Sequence, residues 1–385
     1  MPFTPLAVAS TSLAIWLYLD LARGAFWRLR EFDDDTTTHQ PPTSWPGVIA
    51  VVPARNEAAT IAQTLTSLLN QNYAGQFSIV LVDDHSEDAT AQIARQTARE
   101  RDLESRINIR LAPPLPPGWT GKLWALNEGV SQAASAAPTY YWFTDADIVH
   151  APDTLLRLVA RAERDHLDLA SLMVLLRAKT LPERALIPAF LFFFLKLYPP
   201  RWIANPHART AGAAGGCILL RSEALQRIGG LAAIRHEVID DCALARAVKR
   251  TGGRLWMGMT RASISLRAYT TFREIRDTIA RTAFTQLRYS PLLLLGTLAG
   301  MFLTYVAPVA LIFTHDPSPR ILGACAWLLM SLLYLPTIRF YRLSPVRAAT
   351  LPLTALFYSY ATLVSAARCY LGRGAQWKGR SQAHR

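Results

Sequence analysis

Short apolar segments alternate with amphipathic segments between about residues 46 and 267, and this alternation constrains the fold most. VIAVVP precedes a helical pattern with apolar residues at Ile61, Leu65, Leu68 and Leu69, and FSIVLVDD precedes a second helical pattern. Strands that alternate with helices form a mainly parallel sheet with helices on its faces. The sequence therefore predicts an α/β domain with a mostly parallel, doubly wound sheet.

Four uncharged stretches flank this region, and each is close to the roughly 20 residues that a membrane-spanning helix needs. They are Met1 to Leu19, Pro291 to Thr314, Ile321 to Ile338, and Ala348 to Ala367. Hydrophobic residues make up 51% of the chain, which is high for a purely soluble protein. The expected organisation is a transmembrane anchor (1–22), a cytoplasmic catalytic domain (46–289), membrane helices (291–370) and a basic tail (371–385).

Basic residues after the first stretch indicate the orientation in the membrane. Arg23, Arg28 and Arg30 place the following domain in the cytoplasm by the positive-inside rule. Three C-terminal spans would put the basic tail outside, against the positive-inside rule. One stretch is therefore expected to be re-entrant or interfacial, and Ala348 to Ala367 is the least suited to cross the membrane. The run Ala185 to Leu195 is too short to cross and is either an interfacial segment or a buried core helix.

Charge and cysteine content argue against two other classes of protein. The net charge is +13, but the arginines are dispersed or stand beside apolar stretches, so no nucleic-acid partner is predicted. The four cysteines lack the spacing of a zinc site or a disulfide framework. No histidine is placed to activate Cys242, which is therefore predicted to be a small buried side chain.

Acidic side chains follow two of the predicted strands, where ligands bind in doubly wound sheets. Asp83 and Asp84 follow FSIVLV, where they can hydrogen-bond a base or a ribose or belong to a cap of the next helix. Asp145 and Asp147 follow YYWF in the segment TDAD. This pair can hold a divalent cation against a diphosphate, although the same triplet is typical of a turn or helix cap before Pro152.

A further acidic pair and a lysine stand out downstream of these strands. Asp240 and Asp241 begin a predicted helix in VIDDCALARAVKR, where a carboxylate is either a helix cap or a general base. PPGWTGKLWALNEG places Lys122 after a glycine turn, but Leu123 stands where a P-loop needs Ser or Thr. No GxGxxG follows a strand, which argues against a dehydrogenase.

The order of these segments resembles that of the inverting family 2 glycosyltransferases, which have the GT-A fold. VVPARNEAATIAQTLTSLLNQ resembles the opening strand and helix of the family, VLVDDHSEDAT its nucleotide-binding turn, TDAD its metal motif and VIDDCALA its catalytic-base motif. This resemblance covers Pro46 to Tyr289. PLPPGWTGKLWALNEGV, GGCILLR and RTAFTQLRYSPLLLLGTLAGM further resemble the hopene-associated glycosyltransferases of hopanoid-producing bacteria, over nearly the whole chain.

The resemblance implies a role for each matching residue. Asp145 and Asp147 would hold Mg²⁺ or Mn²⁺, and Asp241 would be the catalytic base. The residues implied to bind the nucleotide sugar are Pro53, Glu57, Asp83, Asp84, Lys122 and Asp145.

Two positions depart from the family pattern. Asp240 stands where the family more often has Glu. In the segment RTAFTQLRYS the family often has Gln or Arg, then two other residues, then Arg-Trp. Thr285, Arg288 and Tyr289 occupy the positions of this pattern, and Gln286 lies one position after the expected Gln or Arg. The residues expected to contact the acceptor or the diphosphate are Asp240, Gln286, Arg288 and Tyr289.

Taken together, the resemblance implies a membrane-bound inverting glycosyltransferase of the hexosyltransferase type. It would move a sugar from a nucleotide sugar, expected to be a UDP-sugar, to a lipid acceptor related to hopanoids, and the tail segment AQWKGR also resembles lipid-directed members. The implied location is the bacterial inner membrane, crossed several times, with the catalytic domain facing the cytoplasm. Two alternatives stay open, namely transfer to a polyprenyl phosphate and a non-catalytic membrane scaffold with the same fold.

Overall fold

The computed structural model describes residues 4–33, 44–101, 103–372, 376–377 and 380–381. The chain divides into two compact units. The sheet unit comprises residues 31–177, 202–267 and 376–385, and the helical unit comprises residues 1–30, 178–201 and 268–375.

The sheet unit is built around an eight-stranded sheet with the spatial order β3-β2-β1-β4-β7-β6-β8-β5. Its strands, numbered in chain order, are β1 (Val48–Ala54), β2 (Phe77–Asp83), β3 (Ile107–Leu111), β4 (Tyr140–Thr144), β5 (Ile148–His150), β6 (Leu169–Leu175), β7 (Cys217–Arg221) and β8 (Leu255–Ser265). A separate short hairpin pairs Gln376–Trp377 with Arg380–Ser381.

The helices of the described residues are also numbered in chain order. They are α1 (Pro5–Leu21), α2 (Ile61–Leu69), α3 (Thr90–Arg99), α4 (Gly121–Ala133), α5 (Thr154–Arg164), α6 (Leu181–Leu197), α7 (Pro200–Ala204), α8 (Ser222–Arg227), α9 (Asp240–Arg250), α10 (Phe272–Ala280), α11 (Ala283–Gln286), α12 (Pro291–Met301), α13 (Ala307–Leu311), α14 (Pro317–Phe340) and α15 (Leu351–Tyr370). Short 3₁₀ segments occupy Phe26–Arg28, Glu104–Arg106, Ala134–Ala136, Leu231–Ile234 and Pro345–Thr350, and a π-helical turn occupies Phe302–Val306.

The predicted α/β class is confirmed, but the sheet is mixed. Strand β1 pairs in parallel with β2 and β4, β2 pairs in parallel with β3, and β6 with β8. Strand β7 runs antiparallel to both β4 and β6, and β5 runs antiparallel to β8. A buried strand is an apolar run whichever way it points, so the sequence pattern did not reveal these reversals.

Helix α2 buries its apolar face in the same core as β1, whose seven residues are all buried. Ile61, Leu65 and Leu68 of α2 are fully buried, and each such side chain contributes about 1.5–3 kcal/mol of hydrophobic stabilisation. The register places Ala54 beside Asp83, so the carboxyl ends of β1 and β2 lie at the same edge of the sheet. This edge carries the polar clusters identified in the sequence.

Helix α6 of the helical unit contains the short apolar run Ala185 to Leu195. A capping box begins the helix, because Thr180 accepts a hydrogen bond from the Glu183 backbone N–H while the Glu183 side chain accepts one from the Thr180 N–H. Much of the run is buried, including Ile187 and Phe192. The structure therefore favours a core helix over a segment lying on a surface.

Two helical segments of the described residues are long and apolar enough to cross a membrane. They are Pro291–Leu311, of 21 residues, and Pro317–Phe340, of 24 residues, each with a mean hydropathy of 1.9. The other two predicted spans, near α1 and α15, are not among them. Residues 1–3 of the predicted anchor lie outside the described residues, as do 373–375, 378–379 and 382–385 of the predicted basic tail, which include half of AQWKGR.

Candidate functional site

Lys122 lies between two of the predicted carboxylates. It belongs to the first turn of α4, and its Nζ lies 2.8 Å from Asp145 Oδ1 and 3.4 Å from Asp240 Oδ2. Asp145 directly follows β4, and Asp240 is the first residue of α9. Burial opposes the charge of the ammonium group, but the attraction of Asp145 and Asp240 outweighs it and raises the pKa of Lys122. Lys122 is therefore a permanent cation that joins two motifs far apart in sequence.

Asp241 is held by two backbone donors. Its Oδ2 accepts a hydrogen bond of 2.9 Å from the Gly215 N–H, and its Oδ1 accepts one of 2.7 Å from the Cys242 N–H. Burial and the neighbouring Asp240 raise the pKa of Asp241 to about 6, although Lys122 acts in the opposite direction. An oriented carboxylate with a raised pKa has the properties of a general base that works near neutral pH.

Gly215 leaves little space next to Asp241. A Cβ at this position would lie 3.2 Å from Asp241 Oδ2 and 3.4 Å from Lys122 Nζ. A side chain there would crowd the Asp241 carboxylate and shift it by a few tenths of an ångström. The sequence interpretation missed this residue, although the GG pair directly before the apolar strand CILLR was a visible signal.

A pocket with an empty volume of about 340 Å³, including open solvent space, lies at this cluster. Its lining includes Lys122, Asp145 and Asp241. It also includes Pro53, for which the family resemblance implies nucleotide binding. Its apolar wall comes from α4, the sheet, the 3₁₀ segment Leu231–Ile234 and α9, with the residues Leu123, Leu126, Phe143, Ile218, Leu231, Ile234 and Leu244. The structure thus brings charged groups from three sequence motifs to one concave site.

The predicted nucleotide-binding turn follows β2 at the same edge of the sheet. Asp84 is fully buried, and its N–H donates to the Ala54 carbonyl over 2.8 Å. Arg55 holds the turn, because its Nη1 donates to the Asp84 carbonyl over 2.5 Å and to the His85 carbonyl over 2.9 Å. The Asp83 carboxylate accepts from both the N–H and the hydroxyl of Ser86, so it stabilises the turn itself.

The first strand and the next helix share a second set of contacts near this turn. The Glu57 N–H donates to Thr90 Oγ1 over 2.8 Å, and Glu57 Oε2 accepts from the Thr60 hydroxyl over 3.1 Å. Asp88 accepts from the Thr90 N–H at the start of α3, so it satisfies one of the backbone donors at the amino end of that helix. The backbone of Glu57 is thus tied to the start of α3, while its carboxylate contacts Thr60.

Asp145 and Asp147 offer hard oxygen ligands, which Mg²⁺ and Mn²⁺ prefer. Asp147 Oδ2 accepts a long hydrogen bond of 3.5 Å from the Ser265 hydroxyl. Among the described residues, no group of three or more His, Cys, Asp or Glu side chains is arranged so that it could hold a metal ion. Mg²⁺ is commonly bound by one or two protein carboxylates together with phosphate oxygens and water, and two carboxylates are what the TDAD segment offers.

Three predicted site residues belong to the helical unit. Gln286 ends α11, and its Nε2 donates to the Tyr198 hydroxyl over 2.8 Å. Tyr289 is about half exposed, and its hydroxyl accepts from Thr285 over 3.0 Å. Arg288 and Tyr289 both have positive φ angles, so the chain turns sharply here. Contact of Gln286, Arg288 and Tyr289 with diphosphate or acceptor stays a prediction.

Comparison with protein families and curated proteins gives partial matches. Residues 49–229 match the family described as Glycosyl transferase family 2. The chain is 32% identical over 123 residues to a beta-monoglucosyldiacylglycerol synthase of Trichormus variabilis, which covers 32% of this chain and 25% of that protein. It is 27% identical over 210 residues to the probable glycosyltransferase YdaM of Bacillus subtilis, covering 54% of this chain and 46% of that protein. The chain thus spans less than half the length of these relatives.

The fold is similar to that of a solved structure, the mannosyltransferase PcManGT from Pyrobaculum calidifontis in complex with GDP-Man and Mn²⁺. The TM-score is 0.55 at 20% sequence identity, and the match covers 95% of this chain and 99% of that chain. At this identity the similarity concerns the fold alone. It confirms the predicted GT-A-like α/β fold.

Proposed function

We propose that this chain, which carries a glycosyltransferase family 2 domain, transfers a sugar from a nucleotide sugar to a lipid acceptor with inversion at the anomeric carbon. One observation supports this most. The Lys122 ammonium group contacts Asp145 of the TDAD segment and Asp240 beside the oriented carboxylate of Asp241. A cation, a candidate metal-binding carboxylate and a candidate base are the groups that one displacement at an anomeric carbon requires.

The donor is bound at the carboxyl ends of the strands. Asp145 and Asp147 would hold Mg²⁺ or Mn²⁺, which when bound acts as a Lewis acid that neutralises charge on the leaving diphosphate. Lys122 places a second positive charge beside Asp145. Asp84 lies at the end of β2, on the side of the site where we place the nucleotide. PcManGT, which has a similar fold, was solved with GDP-Man and Mn²⁺, and this supports a nucleotide-sugar donor here.

Asp241 performs the proton transfer in this proposal. Its carboxylate removes the proton of the acceptor hydroxyl as that oxygen attacks the anomeric carbon from the face opposite the leaving diphosphate. The Gly215 and Cys242 N–H groups orient both oxygens of the carboxylate before the acceptor arrives. No separate general acid is required, because the leaving diphosphate is stabilised by positive charge rather than by a proton.

Apolar helices support a lipid acceptor. Pro291–Leu311 and Pro317–Phe340 are each long enough to cross a membrane, and one relative is named as a glucosyldiacylglycerol synthase. An amphiphilic acceptor keeps its hydroxyl at the membrane interface, where a membrane-associated transferase can reach it. We place the protein at the bacterial inner membrane with its sheet unit in the cytoplasm, and a hopanoid-related alcohol is the acceptor that the sequence resemblance suggests.

The test is a screen of purified full-length protein in detergent. UDP- and GDP-sugars are tested for binding by calorimetry with Mn²⁺, with Mg²⁺ and with EDTA, and bound donors are then offered a hopanoid alcohol, a diacylglycerol or a polyprenyl phosphate. We expect metal-dependent donor binding and transfer to a lipid alcohol. Transfer to the lipid phosphate alone would select the polyprenyl-phosphate alternative, and no donor binding with either metal would select the non-catalytic scaffold.

A further inference from the structure

A buried chain of hydrogen bonds runs behind the carboxylate cluster and is centred on His150. His150 ends β5, is 3% exposed, and its ring centroid lies 4.7 Å from that of Trp142. Its Nε2 lies 2.8 Å from Thr144 Oγ1, and its Nδ1 lies 2.8 Å from Ser263 Oγ. Thr144 Oγ1 in turn donates to the Gly216 carbonyl over 3.1 Å.

Counting protons along this chain assigns the tautomer of the imidazole. A carbonyl only accepts, so the single hydroxyl proton of Thr144 goes to Gly216. Thr144 Oγ1 must then accept from His150, which places the ring proton on Nε2 and leaves Nδ1 to accept from the Ser263 hydroxyl. All three hydrogen bonds run in one direction. A neutral ring satisfies them, and burial, which lowers the pKa of His150 to about 3, keeps the ring neutral.

One end of the chain is attached to the proposed active site at two positions. Thr144 lines the pocket and directly precedes Asp145. Gly216 directly follows Gly215, whose N–H orients the Asp241 carboxylate. The Thr144 hydroxyl therefore joins the backbone next to Asp145 directly to the backbone next to Gly215, and the His150 ring fixes that hydroxyl by donating to its oxygen.

The other end of the chain leads toward the second proposed metal ligand. Ser263 lies on β8 two residues before Ser265, whose hydroxyl contacts Asp147 Oδ2. Strand β5 also pairs with β8 at this place, with His150 opposite Ser263. The His150 ring thus links β8, which contacts Asp147, to Thr144 at the end of β4, which precedes Asp145 and bonds the residue after Gly215.

We propose that His150, as the neutral Nε2–H tautomer, is a positioning residue that holds Asp145, Asp147 and Asp241 in register for transfer. The inference rests on the proposed function and adds a residue to its machinery. Hydrogen bonds that donate in sequence polarise one another, so loss of the ring weakens the whole chain rather than one contact. Residues that orient metal ligands typically affect metal affinity or activity by about tenfold to a hundredfold when replaced.

Four variants test the role. His150→Phe keeps the ring volume against Trp142 but removes both nitrogens, and Thr144→Val removes the hydroxyl while keeping the side-chain shape. Thr144→Ser retains the hydroxyl and should restore the chain. His207→Phe changes a histidine in an exposed position and is the matched control. For each, donor binding at graded Mn²⁺, kcat, KM and the unfolding temperature are measured.

We expect His150→Phe and Thr144→Val to weaken Mn²⁺-dependent donor binding by about tenfold to a hundredfold and to lower kcat, while Thr144→Ser recovers most of the loss. In the wild type, ¹⁵N NMR of the buried ring should show a proton on Nε2. Unchanged donor affinity in both variants with only a lower unfolding temperature would overturn the positioning role, and so would a proton on Nδ1.

Failure of the proposed function gives a different result. In that case the wild type itself would bind no nucleotide sugar with either metal, and the positioning role would fall with it. Normal binding by the wild type combined with normal binding by His150→Phe and Thr144→Val overturns the role of His150 alone. If His150→Phe does not fold, Thr144→Val and its Thr144→Ser counterpart decide the question.

Discussion

Replacing Asp241 by Asn should remove a pH-dependent loss of stability while it lowers the transfer rate by about 10² to 10⁴. Burial and Asp240 raise the pKa of Asp241 from 3.8 to about 6, which means that the folded state disfavours the charged carboxylate. A difference of this size corresponds to about 3 kcal/mol, at 1.36 kcal/mol for each pKa unit. Because the folded protein binds this proton more tightly than the unfolded chain, stability falls as pH rises through the window from about 4 to 6.

Asn cannot ionise, so the stability of the variant does not fall as the pH rises through this window. Its amide group leaves one of the two backbone N–H donors, of Gly215 or Cys242, without an acceptor, which costs about 1–3 kcal/mol at every pH. The pH-dependent part is isolated by comparing the two proteins at pH 4 and pH 8. The stability of Asp241→Asn relative to wild type should rise by about 2–3 kcal/mol between these values.

The assay is thermal unfolding of both purified proteins at the two pH values. For an unfolding unit of 150–250 residues, 2–3 kcal/mol corresponds to a change of roughly 4–12 °C in unfolding temperature. Glu223→Gln, which removes a carboxylate at an exposed position of α8, is the matched control. A pH-independent difference between Asp241→Asn and wild type would refute the account of a destabilised, buried carboxylate.

Three further predictions concern the same cluster. The kcat/KM of the wild type should fall about tenfold for each pH unit below about 6, because protonation removes the base Asp241, and a flat profile from pH 7 to pH 5 would contradict this. Lys122→Met removes the cation 2.8 Å from Asp145 and should raise the KM for the donor by roughly tenfold to a hundredfold, as measured in steady-state assays. Gly215→Ala places a Cβ 3.2 Å from Asp241 Oδ2 and should lower kcat by up to about a hundredfold, whereas Gly47→Ala, with no heavy atom within 4 Å of its Cβ, should leave kcat unchanged.

The strand ends that carry the site could be predicted because their signals are local. A buried strand is an apolar run, and the acidic residues that follow it must lie at the edge where the strand ends. Asp83, Asp84 and Asp145 were placed in this way, and the structure puts them at the ends of β2 and β4. Asp240 and Asp241 were likewise assigned to a helix start, and α9 begins at Asp240.

Features that depend on contacts between distant residues could not be predicted. The ion pair between Lys122 and Asp240 joins residues from separate helices, and the sequence around either residue does not indicate the other as its partner. The direction of β7 is invisible for the same reason, because side-chain burial does not encode strand direction. His150 was overlooked because its partners, Thr144 and Ser263, are ordinary strand residues until the sheet brings them together.

Membrane segments were predicted from composition, and composition identifies only candidates. Residues 291–311 and 317–340 keep enough length and hydropathy in the structure, whereas α1, with 17 residues, is a shorter apolar helix. The helix from Leu351 to Tyr370 includes many buried residues, among them Tyr358 and Ala361, so its apolar character serves packing. An apolar stretch is required both by a lipid bilayer and by a buried helix, and the pattern alone does not separate them.

The central claim is that Asp241 acts in the transfer step, whereas other groups bind the donor. These groups are the carboxylates that follow the strands and Lys122 of α4. Donor binding in the presence of Mn²⁺ and transfer to the lipid acceptor should be measured in parallel on wild type and Asp241→Asn. We predict that the variant binds the nucleotide sugar with near wild-type affinity and loses about 10² to 10⁴ in transfer rate. Transfer by purified Asp241→Asn at the wild-type rate would contradict the account.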